Sequence, residues 1–241
     1  MKKIVNFIKW MLLAIIAGSI LLVLLFKFVP VPCSPLMFIR AYEQVSEGET
    51  IRWHHEWVPL SEISPDLPLA VMSSEDQNYL SHHGFDFDAI KRVIDERESG
   101  KRKRGGSTIS QQTAKNVFLF PTAADGKLAW FRKGVEAYFT VLIEVMWDKQ
   151  RIMEVYLNTI EMGDGIYGAQ AVAQEHFGCD AKDLTRNQCA LIAISLPNPR
   201  RFNSASPSNY MYKRQRWCIK QMKWLGKFPM TAEEQKEMEE K

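Results

Sequence analysis

The apolar and polar positions of this chain change register along its length, and each register predicts a different kind of element. From Trp10 to Phe26 the run WMLLAIIAGSILLVLLF carries no charge. With its flanks it reaches roughly the 20 residues that a helix needs to span a bilayer. Beyond Asp66 the spacing becomes that of packed helices. In DLPLAVMSSEDQNYL, the apolar or small positions Leu67, Ala70, Val71 and Ser74 fall at helical steps. FRKGVEAYFTVLIEVMW predicts a long helix ending near Trp147, and Asp148 is a good N-cap for a helix over DKQRIMEVYLN. TRNQCALIAISLPNP predicts a helix stopped by Pro197 and Pro199, and SNYMYKRQRWCIKQMKWL predicts one more. Strand-like alternation is scarce, so the fold class is mainly α.

The same pattern divides the chain. Residues 1–9 read as a short cytoplasmic tail and 10–29 as a transmembrane helix. Residues 30–65 read as a proline-rich connector packed on the body, 66–226 as the body, and 227–241 as a charged tail that is solvated or frayed. Lys2, Lys3 and Lys9 precede the apolar run, which predicts a cytoplasmic N-terminus and a body outside the membrane. A cleaved signal peptide competes with this reading. The apolar run exceeds the usual length of such a segment, and FVPVPCSP follows it in place of a small-residue cleavage site.

Composition adds little beyond confirming a folded body, with 46% hydrophobic and 24% charged residues in 241. A net charge of +3 gives no argument for nucleic acid. The four cysteines, Cys33, Cys179, Cys189 and Cys218, match no zinc spacing, and nothing in the sequence pairs them. The histidines near His54 and His82 lack the H-E-x-x-H spacing, which disfavours metal ligation.

Three features carry candidate chemistry. RGGSTISQQTAKN, Arg104 to Asn116, is too polar to supply a core and follows the basic run Lys101–Arg104. Glu75 sits between an apolar turn and Tyr79, where it is either an ordinary surface carboxylate or a half-buried one with a raised pKa. On the helix after Arg132, the polar residues Lys133, Glu136, Thr140 and Glu144 form one stripe. Spacing alone favours a solvent face, since most helical charges are solvated; the sharper alternative is a stripe lining a cleft. Paired carboxylates are the equipment of glycosidic chemistry, and cations with exposed backbone amides near glycines suit a phosphate-bearing ligand. An anchored body acting on a sugar that carries a lipid diphosphate would use all three.

EDQNYLSHHG, GGSTISQQTAKN, RKGVE, RIMEVYLN and SLPNP, in this order over roughly residues 60–225, resemble the motifs of the family 51 glycosyltransferases, the peptidoglycan polymerases. The resemblance implies a lysozyme-like helical lobe and a small jaw lobe behind one N-terminal transmembrane helix. It implies lipid II and a growing lipid-linked glycan strand as substrates, an inner-membrane location, and cell-wall synthesis proteins as compatible partners. Glu75 matches the catalytic base and Glu136 the second essential carboxylate. Ser107 and Lys115 match residues contacting the donor's phosphates. Asp76, Gln111, Arg132 and Lys133 match motif positions of supporting role, and Thr108 and Lys127 join the candidate substrate-binding set. No cofactor is required, with a divalent cation, Mg or Mn, admissible at the diphosphate.

The loop Leu119–Phe131 is longer than the family pattern, and Lys127 stands near an expected arginine. Its aromatic neighbours Phe118, Phe120, Trp130 and Phe131 either dip into the membrane surface or pack inside the jaw. No S-x-x-K or K-T-G of an acyl-transfer site is present. A lytic, lysozyme-like glycosidase and a non-enzymatic cell-wall scaffold are the competing functions.

Overall fold

The computed structural model describes residues 1–98, 106–120 and 126–240. The basic run Lys101–Arg104 and residues 121–125 of the aromatic loop lie outside them. Among the described residues the elements are α1 (Lys2–Phe28), α2 (Pro35–Ser46), β1 (His54–His55), α3 (Asp66–Glu75), α4 (Phe87–Glu98), α5 (Ile109–Phe118), α6 (Lys127–Met146), α7 (Lys149–Thr159), β2 (Glu161–Gly163), β3 (Ile166–Tyr167), α8 (Ala169–Phe177), α9 (Arg186–Ser195), α10 (Asn209–Leu225) and α11 (Ala232–Glu239). The strands lie in the order β1-β3-β2, with β3 parallel to β1 and antiparallel to β2. The mainly helical class expected from the sequence is the one found.

The centre of the body is α3 packed on α9 and α10. Both α3 and α9 are buried nearly all round, from Leu67 to Ser73 and from Cys189 to Ser195. A helix with no polar side has only a core to occupy. α9 starts at a capping box, in which Thr185 accepts from the Gln188 backbone and the Gln188 side chain reaches back. None of the four cysteines is paired. Burial pushes the Cys189 and Cys218 thiols up to about 12, so both behave as small apolar side chains.

α6 is built the other way round. Glu136 and Thr140 are buried, and the Glu144 side chain is nearly so. Val141 and Val145 on the opposite side are 50% and 79% exposed. The solvated polar stripe expected from spacing is therefore corrected: it faces α5, whose Ser110 and Thr113 are themselves buried. The arrangement holds because each buried polar atom has a partner. Thr140 Oγ1 donates to Glu136 O at 2.8 Å, Ser110 Oγ donates to Glu144, and Lys149 Nζ donates to both Glu144 oxygens at 2.8 and 2.9 Å. The helix also begins at Lys127, earlier than its periodicity predicts.

The apolar helix α1, long and apolar enough to cross a membrane, docks its C-terminal half on the body. Trp147 Nε1 donates to Val23 O at 2.9 Å. Arg151 donates to Phe26 O at 2.7 and 3.0 Å and to Val29 O at 2.6 Å. The carbonyls of Phe26 and Val29, at the end of the helix, have no intrahelical partner of their own. Ser19 Oγ and Tyr138 OH meet at 2.7 Å, joining α1 to α6.

The C-terminal tail starts inside the body. Phe228 is buried against Tyr79, with ring centroids 6.5 Å apart, and Gln150 Nε2 donates to Pro229 O and Thr231 O at 3.2 Å each. The change of character expected at 226 falls instead near Ala232, where the exposed α11 begins.

Candidate active site

Glu75 is the last residue of α3. The sequence predicts a helix continuing toward Leu80, but the chain turns away at Asp76. Its carboxylate has other partners: it accepts the backbone N–H of Ile109 at 2.9 Å and His82 Nε2 at 3.0 Å. The Gly84 N–H donates to His82 Nδ1 at 3.1 Å, so Nε2 is the nitrogen that carries the proton. Asp76 thus places negative charge at the positive end of α5 and ties the end of α3 to the start of α5.

α5 begins at a second capping box. Thr108 Oγ1 accepts from Gln111 N at 3.2 Å, and Gln111 Oε1 accepts from Thr108 N at 3.0 Å. The Thr108 hydroxyl donates to Gly84 O at 2.7 Å. Gly84 has φ +86°, and a Cβ there would stand 2.9 Å from Thr140 Cγ2, so only glycine lets this loop lie on α6. Thr108 and Gln111, assigned from the sequence to substrate, are buried and held by these bonds. Their part is to position α5, as Asp76 does.

The next face of α5 meets the candidate carboxylate. Gln112 Nε2 donates to Glu75 Oε2 at 3.0 Å, and Tyr156 OH donates to Gln112 Oε1 at 3.3 Å. Burial raises the Glu75 carboxyl above its ordinary 4.5; the Gln112 bond and the charges of Lys115 and Arg214 oppose the rise, while Asp76 adds to it. Lys115 follows one turn after Gln112. Burial lowers its amine below the ordinary 10.5, Arg132 and Lys133 push the same way, and the fields of Glu136 and Glu75 oppose them. Lys115 is therefore within electrostatic reach of both carboxylates. Glu136 is buried and accepts a hydrogen bond from Lys133 Nζ.

The structure thus brings together Glu75, Lys115, Arg132, Lys133 and Glu136. Ser107 stands exposed on the lip before α5. The side chain of Lys127 and all of Arg104 lie outside the described residues. Gln112, Tyr156 and Arg214 are the site residues that sequence reasoning missed. For Gln112 there was a signal: T-x-x-Q over residues 108–111 is a capping box, which commits the first glutamine and leaves the second. Arg214 gave none, since it arrives from α10 about a hundred positions away.

The histidines are engaged elsewhere. His54 pairs with Glu175 at 2.8 Å and His55 meets Asn158 O at 3.0 Å. Among the described residues no group of three or more His, Cys, Asp or Glu is placed to hold a metal. At the cation cluster the carboxylate is Glu136, already bonded to Lys133, and this donor set does not fit a resident divalent ion.

A desolvated carboxylate within electrostatic reach of a cluster of cations, in a helical body behind one apolar anchor, defines a class: a group-transfer enzyme for an anionic, membrane-borne substrate. The chain belongs to the transglycosylase family, whose model matches residues 43–223. It is 53% identical over 228 residues to a biosynthetic peptidoglycan transglycosylase of Bacteroides thetaiotaomicron, covering 95% of this chain and 90% of the relative. Proteins of the same description from Bdellovibrio bacteriovorus and Pseudomonas fluorescens are 51% and 47% identical, over 86% and 93% of this chain and 82% and 90% of theirs.

Proposed function

We propose that this peptidoglycan glycosyltransferase polymerises lipid II into β-1,4-linked glycan, with Glu75 as the base. Its carboxylate takes the proton of the acceptor sugar's 4-hydroxyl. The freed oxygen attacks C1 of the lipid-linked donor, the C1–O bond breaks, and the lipid diphosphate leaves with that electron pair. Attack opposite the departing α-oxygen gives the β linkage. Burial suits Glu75 to the task, because a base with a raised pKa accepts a proton more readily. Gln112 aims one oxygen and leaves the other for the acceptor.

What supports this reading most is that the Lys115 amine feels the charge of both carboxylates and of Arg132 and Lys133. Preorganised cations stabilise charge that develops on a leaving diphosphate. Glu136 holds the cluster together by accepting from Lys133. A lytic glycosidase has a use for Glu75 and none for this cluster, and the relatives are named for synthesis. A divalent cation would have to arrive with the diphosphate.

In this reading the enzyme sits in the bacterial cytoplasmic membrane, single-pass, with the body outside; Lys2, Lys3 and Lys9 before the apolar run support a cytoplasmic N-terminus. The outward apolar face of α6 and the exposed Phe120, Trp130 and Phe131 rest on the outer leaflet in this reading. Phe118 does not: it stacks on Phe139 inside the jaw, at 4.5 Å.

The test is a polymerisation assay with lipid II on the detergent-solubilised full chain. Glu75→Gln should lose activity by about 10²–10⁴-fold with its helical signal intact. Near wild-type polymerisation by the folded variant refutes the assignment of the base.

A further inference from the structure

α10 carries a surface that the reaction at Glu75 does not account for. Tyr210, Arg214, Trp217, Gln221 and Trp224 recur at steps of four, three, four and three residues. At about 100° per residue they form one stripe, and at about 1.5 Å rise per residue it runs roughly 21 Å. The core-facing residues Met211, Cys218 and Met222 lie to one side of the stripe. On the other side lie Lys213, Arg216, Lys220 and Lys223, none of which makes an ion pair among the described residues. From Pro197 to Met230 the chain carries eight Lys and Arg and no Asp or Glu.

The stripe is continuous with the active site at two points. The charge of Arg214 is felt by the Glu75 carboxyl. Gln77, two residues beyond Glu75, donates to Gln221 Oε1 at 3.3 Å. Its aromatic rings are held but open. Arg214 lies 4.2 Å from the Trp217 ring, Phe202 lies tilted beside Tyr210 at 5.9 Å, and Trp224 is left 89% exposed. An indole that open, nearly three turns past Arg214, has no partner in the core.

We infer that this stripe is a track for the glycan strand beyond the two sugars that react, an inference that rests on the polymerase reading. The C–H faces of pyranose rings pack on the electron-rich faces of aromatic side chains. The peptides that branch from such a strand end in carboxylates, and the unpaired row of cations beside the rings complements them. A strand held along α10 stays on the enzyme between additions, so the track sets product length and leaves each transfer step alone.

The experiment uses full-length protein in detergent, with isolated peptide-bearing glycan strands as the binding probe and lipid II as the substrate. The variant is Trp224→Ala with Lys220→Ser, both on the surface and outside the catalytic cluster. Truncating one exposed anchor and one cation should weaken strand binding roughly five- to tenfold and shorten the polymer, while the initial rate of coupling stays unchanged. Removing the peptides from the strands should narrow the gap between wild type and variant. Unaltered strand affinity and unaltered product length overturn the track. So does an effect that appears only with phosphatidylglycerol in the micelle, which would assign the surface to lipid headgroups. Failure of the wild type to polymerise lipid II would instead remove the polymerase reading, whatever the strand affinities are.

Discussion

α9 and α6 are both central helices, and they bury opposite kinds of residue. α9 turns Cys189, Ala190, Ile192 and Ala193 inward with no exposed surface left. α6 turns Glu136, Thr140 and Glu144 inward and leaves Val141 and Val145 outside. The first helix stabilises the body by removing apolar area from water. The second gains little that way, because each polar group it buries must be matched by a partner, within α6 itself for Glu136 and Thr140 and on α5 and α7 for Glu144. The difference separates stability from chemistry: one side of the molecule holds it folded, and the other holds cations and carboxylates in a place where water is scarce and charge counts for more.

The comparison can be broken on either side. On the polar side, Lys115→Met should lower polymerisation by about 10²–10³-fold, the usual loss for one preorganised charge-stabilising donor. It should leave thermal stability level or slightly raised, because burial already disfavours the ammonium. A variant that melts early instead of working slowly would show that Lys115 is structural. On the apolar side, Ile192→Ala should cost about 3 kcal/mol of stability through the cavity it opens. Activity per folded molecule should hold in assays well below the melting temperature, and a matching loss of rate would erase the division.

A finer test joins the two sides at Gln112. The Glu75 carboxyl is raised in the fold, so its ionised form is disfavoured there, and stability falls as pH climbs through the window from 4.5 up to the folded value. Glu75→Gln abolishes that fall and should melt no earlier than wild type at neutral pH. The Gln112 bond holds the carboxyl down, so Gln112→Leu should raise it further. The acidic limb of the kcat/KM profile then moves to higher pH, the smallest of these effects. A limb that stays put would mean that Gln112 does not contact the working form of the base.

Much of this was legible in the chain. The anchor, the helical body, the cap at Asp148 and the neighbourhood of Glu75, Lys115 and Glu136 follow from periodicity, turn chemistry and motif resemblance. What periodicity cannot give is which side of a two-faced helix meets water. The stripe on α6 was legible; its direction was not, because beside an apolar anchor the usual preference for solvated charge inverts. The capping role of Thr108 and Gln111 was hidden for another reason. A hydroxyl and an amide beside glycines read equally as ligand contacts or as a cap, and only the hydrogen bonds to Gly84 and between themselves separate the two. Phe228 shows the same limit at the C-terminus, where one buried ring among charged residues moves a boundary that composition had drawn.

Arg151 holds the end of α1 by its own carbonyls, and Trp147 holds the turn before it. The anchor is thereby a mounting and not a leash. A leash would let the catalytic cleft wander over a hemisphere and face the bilayer only part of the time. A mounted cleft keeps one height and one heading, and a lipid-borne substrate reaches it by drifting sideways in the leaflet. Its search is confined to two dimensions, and every arrival is already the right way up.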